Sequence, residues 1–137
     1  LYPLLASCLI AIDPATRQNG CLQVLAGSHH MGRIEHGIKG DQTGADPERV
    51  AAIQQQLDTV PVTLSPGDAV FFHCNLLHRS DANTTPDPRW AFICCYNAAR
   101  NNPSQPIRHP QYSPLDVLED DQVLEVGQAQ WSQMAES

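Results

Sequence analysis

Residues 4–12 read "LLASCLIAI", nine positions without a charge, closed at once by Asp13-Pro14. An apolar run this short, bounded by turn residues, suits a strand buried on both faces better than a helix. Such a strand demands neighbours that this chain is not expected to supply in full, so missing upstream residues or a partner chain are expected to cover it, and the segments around it decide the rest of the fold. The Asn19-Gly20 turn in "RQNG" is followed directly by "CLQVL" at 21–25, which predicts a hairpin-like reversal. Between Ala26 and Asp46 glycine recurs at 27, 32, 37, 40 and 44 among His, Lys, Arg and Asp, the composition of a long surface loop. Asp46 as cap, Pro47 in the first turn, and Val50, Ile53 and Leu57 at helical spacing predict one amphipathic helix.

Downstream, "VPVTL" at 60–64, the Pro66-Gly67 turn and "DAVFFHCNLLH" at 68–78 read as two strands joined by a tight reversal. A turn-rich segment leads to a last strand, "RWAFICCYN" at 89–97, after which a Pro- and Asn-rich, then acidic and Gln-rich stretch predicts mostly irregular structure with one short helix. Short strands between turn signals, with one inserted helix, define a mainly β fold class: an antiparallel sandwich or jelly roll. A complete jelly roll needs eight strands of about five or six residues, and five or six are countable here, so only part of one is expected.

The 137 residues set a prior of one domain. No apolar run approaches the roughly 20 residues that cross a bilayer, so membrane spanning is not expected. Eight Lys plus Arg against fifteen Asp plus Glu leave a formal charge of -7, which repels a phosphate backbone and argues against a nucleic-acid partner. Cys8, Cys21, Cys74, Cys94 and Cys95 sit in strand-like runs without paired C-x-x-C spacing, and read as reduced core thiols of a cytoplasmic protein. No secretory signal opens the chain, and residue 1 is Leu rather than Met, which fits a piece of a longer protein.

Histidines stand at 29, 30, 36, 73, 78 and 109. His73 and His78 on one strand would face opposite sides, which argues against a shared metal. His78 and Ser80 can face the same side where a strand gives way to a polar loop, and jelly-roll mouths are where ligand sites form. Arg89 follows His78 by eleven residues and could return beside it in an antiparallel pair. A neutral imidazole is a good iron ligand and the guanidinium fork holds a carboxylate with two parallel hydrogen bonds, so the pair suggests a metal site that anchors a dicarboxylate. A surface or supporting arrangement of the same two residues is the competing reading. His30, Arg33, Glu35 and His36 form a polar loop that either contacts substrate or is simply solvated.

Three blocks, "NGCLQVLAGSHHMGRIEHG" at 19–37, "PGDAVFFHCNLLHRSDAN" at 66–83 and "PRWAFICCYNAARNNP" at 88–103, resemble in their order the phytanoyl-CoA dioxygenase family of iron(II)- and 2-oxoglutarate-dependent oxygenases. The resemblance covers about residues 4–103. It implies a double-stranded β-helix (jelly roll, cupin-like) of which residues 1–103 are the C-terminal part, with 104–137 an irregular acidic extension of the same domain. It implies His78 as a metal ligand, Arg89 and Ser80 as co-substrate ligands, and Fe(II), 2-oxoglutarate and O2 as cofactor and co-substrates. His29, His73, Asn75 and Asn97 fall near the pocket it implies, with His73 alternatively a packing residue. The family's other two iron ligands come from an H-x-D/E pair, and neither H-x-D nor H-x-E occurs in this sequence. Residue 1 aligns just downstream of where that pair belongs. The expected function is hydroxylation of a small-molecule or acyl substrate, a small metabolite suiting the negative charge better than a CoA thioester. The alternatives are a jelly-roll binding module that has lost its metal and a related halogenase.

Overall fold

The computed structural model describes residues 3–32, 34–39, 42–101 and 113–135; Arg33 and His109 lie outside them. The chain forms two compact units, Leu1–Gln105 and Pro106–Ser137. In the first, the opening apolar run becomes β1 (Leu5–Ala11), the centre of a three-stranded sheet flanked by β6 (Ala69–His73) and β8 (Ala91–Asn97). A second three-stranded sheet places β2 (Leu22–Leu25) between β5 (Thr59–Pro61) and β7 (His78–Ser80). Every pairing in both sheets is antiparallel. The two strands that flank β1 therefore come from the chain itself, where upstream residues or a partner chain were expected to be needed, and Cys8, Leu9 and Ala11 are buried.

Register assigns the faces. Ser7 lies opposite both Phe72 and Cys95, and Leu9 opposite Val70 and Ile93, so these share one side of the first sheet. The Phe72 ring meets the His78 ring at 5.2 Å, which turns that side toward the second sheet. Phe71 and Phe92 alternate onto the opposite side and are exposed.

Four expectations are corrected. Residues 68–78 are not one strand: Leu76 N–H donates to the His73 carbonyl at 2.9 Å, closing a turn after β6, and β7 begins in the other sheet. Residues 60–64 and 68–73 do not form a hairpin, because β5 pairs with β2 while Leu64 bridges Ala15 before the chain crosses to β6. The Asn19-Gly20 turn exists but likewise joins different sheets, carrying β1 into β2. In each case the turn chemistry was local and visible, whereas the sheet a strand joins is settled by long-range pairing.

The fourth correction concerns the glycine-rich loop. It contains a short 3-10 turn, Ser28–His30, and a hairpin of β3 (His36–Lys39) and β4 (Gln42–Ala45). Gly37 lies opposite Gly44, so one face of this hairpin carries no side chain there and the periodicity of a strand is erased. Its base is tied by Asp46 N–H to the Glu35 carbonyl at 3.1 Å. The predicted helix follows as α1 (Pro47–Gln54), with the Asp46 carboxylate accepting from Glu48 N–H at 2.9 Å and Arg49 N–H at 3.1 Å, and with Ile53 buried.

The second unit contains α2 (Asp120–Ala135), sixteen residues and thus longer than the short helix expected. Its run of Gln, Leu, Val, Glu and Ala outweighs the single Gly127. The five cysteines are free thiols as expected, but Cys74 and Cys95 are exposed, Cys95 because β8 is an edge strand of its sheet among the described residues. Among those residues no helix is long and apolar enough to cross a membrane.

Candidate active site

His78 opens β7, opposite Val24 of β2. Its Nδ1 donates to the Leu76 carbonyl at 2.8 Å, because a carbonyl oxygen can only accept. The lone pair of the neutral ring is then on Nε2, the state and anchoring typical of a metal-binding histidine. Phe72 from the other sheet covers part of the ring. The turn that aims it is held from two sides: Asn75 N–H donates to His73 Nδ1 at 3.1 Å, and Leu77 N–H to the hydroxyl of buried Ser28 at 2.9 Å. Ser28→Ala leaves that N–H without its acceptor and is expected to cost about 1–3 kcal/mol. Urea denaturation measures the loss, and unchanged stability would remove this bond from the account.

Ser80 lies two residues beyond His78, opposite Leu22, and so shares its side of β7. Arg79 points otherwise, donating to the Gln23 amide oxygen at 3.2 Å and lying 3.9 Å from the Asp81 carboxylate. Arg89 does not return beside His78 in a strand pair, as the spacing suggested: β7 pairs with β2, and Arg89 precedes β8, which pairs with β1. The segment between carries the chain across the sandwich. Half-buried Arg89 instead donates from Nε to the Asn19 carbonyl at 3.0 Å, which leaves the terminal amino groups of its fork for an acceptor.

Asn19 is a rigid platform. It is buried, its Oδ1 accepts from Thr16 N–H at 2.8 Å and its Nδ2 donates to the Pro14 carbonyl at 2.7 Å. Neighbouring Gly20 packs against the Asp81 carbonyl just past the end of β7. Two residues, Arg79 and Ser80, separate His78 from Asp81, roughly 10 Å of extended chain.

Of the other sequence candidates, Asn75 lines a cavity of about 430 Å³ together with His78, His36 and Thr43. His29 and His73 bring their rings to 6.0 Å, beside the turn that precedes His78. Asn97, at the far end of β8, exchanges hydrogen bonds with Asn101 at 2.7 and 3.0 Å. Nothing in the sequence signals Phe72 as a support of His78, and for Asn19 as a support of Arg89 only the Asn-Gly turn does.

The donor set fits one corner of an iron site and not the whole: one anchored imidazole, with no cluster of three or more His, Cys, Asp or Glu able to hold a metal among the described residues.

The fold is mainly β, and the comparisons define the family. The model of the phytanoyl-CoA dioxygenase (PhyH) family matches residues 2–91. Methylphosphonate hydroxylase of Gimesia maris is 37% identical over 94 residues, covering 67% of this chain and 33% of that protein. Ectoine dioxygenase of Sphingopyxis alaskensis is 34% identical over 103 residues, covering 67% and 34%. The solved structure of EctD from S. alaskensis with bound Fe aligns with a TM-score of 0.63 at 30% identity, covering 77% of this chain and 36% of that one. The chain belongs to the phytanoyl-CoA dioxygenase family. It spans about a third of the length of these curated relatives.

Proposed function

We propose that this chain carries one iron-binding imidazole and the co-substrate clamp of an Fe(II)- and 2-oxoglutarate-dependent dioxygenase that hydroxylates a small molecule. One observation carries the reading: His78 has Nδ1 committed to a backbone carbonyl, and Arg89 is fixed by Asn19, whose neighbour Gly20 packs at the end of the strand that His78 opens. The two three-stranded sheets are read as the C-terminal part, residues 1–103, of a double-stranded β-helix, and 104–137 as an extension of that domain. Structures of EctD in this alignment range hold Fe in one case and 2-oxoglutarate with 5-hydroxyectoine in another, which supports iron and 2-oxoglutarate here.

Bound iron would supply activation of O2 coupled to decarboxylation of 2-oxoglutarate to succinate, and hydroxylation of an unactivated C–H bond. The chain's own part is positioning. His78 offers Nε2 as one of three protein ligands, its ring held by the Leu76 carbonyl and Phe72. Arg89 takes the far carboxylate of the co-substrate with its terminal amino groups, and Ser80 adds a hydroxyl between them. The cavity beside His78, with Asn75 in its wall, holds the substrate, and His29, His73 and Asn97 are assigned to its surroundings. That neighbouring relatives are named for small substrates, methylphosphonate and ectoine, supports a small molecule over a CoA thioester.

The test is anaerobic titration of the gene product carrying these residues with Fe(II) and 2-oxoglutarate, following the weak visible charge-transfer band. Arg89→Ala is expected to weaken 2-oxoglutarate by about 10–100-fold, the worth of a charge-assisted pair, with Fe(II) affinity unchanged. Arg89→Lys restores part of it, since an ammonium cannot make the two-pronged contact. An unaltered 2-oxoglutarate affinity in Arg89→Ala would remove the clamp, and no band in the wild type at saturation would remove the function.

A further inference from the structure

The cavity beside His78 holds a second imidazole that the proposed iron chemistry does not use. In β3–β4, His36 lies opposite Ala45 and Thr43 lies two residues from Ala45, so the three side chains share one face of the hairpin. That face, with Asn75 and Leu77, walls the same cavity that His78 enters. His36 is exposed to it, and its Nδ1 donates to the Ile34 carbonyl at 2.8 Å. With Nδ1 donating, a neutral ring carries its lone pair on Nε2, a hydrogen-bond acceptor on a residue that lines the cavity. The hairpin that carries it is braced at its base by Asp46, the same residue that caps α1.

We propose that His36 Nε2 is the acceptor that selects the substrate, and that the substrate class is a small aliphatic compound bearing a hydroxyl or ammonium group as hydrogen-bond donor. This rests on the function proposed above, since it takes the wall opposite the metal-binding imidazole as the substrate's side. The volume of about 430 Å³ suits a small metabolite. Thr43 supplies a hydroxyl beside the donor group, and Leu77 and Ala45 supply apolar surface for the carbon chain, so the head group is held on the hairpin while the aliphatic part extends toward His78.

The test is long-range proton–nitrogen NMR of the imidazoles in the metal-free gene product, titrated with ethanolamine and with ethylene glycol, and with acetate as the contrasting probe. Fragments of this size bind weakly, so each is taken to about 50 mM. The expected result is a saturable shift of the His36 Nε2 resonance with either donor probe and none with acetate. His36→Ala should weaken donor binding about tenfold, with His36→Gln, which keeps an acceptor, recovering part of it. Ethanolamine without ethylene glycol identifies an ammonium; both identify a hydroxyl. No shift, a shift with acetate alone, or equal affinity in His36→Ala overturns the inference. The iron-dependent band is a separate readout: His36→Ala is expected to retain it, so an absent wild-type band speaks against the proposed function, whereas a normal band with an unmoved His36 speaks against this site alone.

Discussion

His78→Ala in the gene product is expected to abolish the charge-transfer band formed with Fe(II) and 2-oxoglutarate, and turnover with it. On the proposed function the alanine takes away one of three protein ligands, a larger loss than the roughly 10–100-fold that follows from disturbing a group which merely orients a ligand. Folding should survive, because His78 is exposed and the turn before it keeps the His73 and Ser28 bonds when the imidazole's bond to the Leu76 carbonyl is lost. Circular dichroism and a urea midpoint close to wild type are therefore part of the expected result. A His78→Ala protein that keeps the band would assign iron to other residues.

Gly20→Ala should be the most damaging change to stability. Gly20 has φ +76°, and a Cβ there would stand 2.2 Å from the Asp81 carbonyl oxygen. Left-handed backbone costs an L-residue about 1–2 kcal/mol, and the overlap adds about 1–3 more because the obstacle is backbone leading out of β7. Together these predict a loss of about 2–5 kcal/mol and a thermal midpoint lower by about 10 °C or more. Gly67→Ala is the internal contrast, since φ there is +89° but nothing lies within 4 Å, so only the conformational cost applies. Equal losses at the two positions in calorimetry would contradict the close approach. Because Asn19 carries Arg89, the Gly20 variant should also bind 2-oxoglutarate less well even below its melting temperature.

The segments that the sequence located correctly are those whose signal is local. Leu5–Ala11, the Asp46-capped helix and Ala91–Asn97 announce themselves through apolar runs, a cap with proline behind it, and β-branched or aromatic content. What could not be read was partnership. Nothing in "PVTLSPGDAV" tells that the residues before the turn join one sheet and those after it the other; that follows from Leu64 meeting Ala15 and from β6 meeting β1, contacts far away along the chain. The β3–β4 hairpin was hidden for a different reason: its paired glycines replace the alternation that marks a strand. At the candidate site, His78, Ser80 and Arg89 were named from residue chemistry and family likeness, while the bond from Arg89 to Asn19 and the packing of Gly20 against the end of β7 needed the fold.

The central strand of the first sheet has its edge partner at the far end of the unit: Leu5 faces Asn97 and Ala11 faces Ala91. During synthesis β1 therefore leaves the ribosome about 80 residues ahead of β8. At cellular elongation rates that is a wait of roughly 4–16 s with one flank of an apolar strand open, long enough for chaperones to matter and a reason for this half of the molecule to assemble only after translation has passed β8.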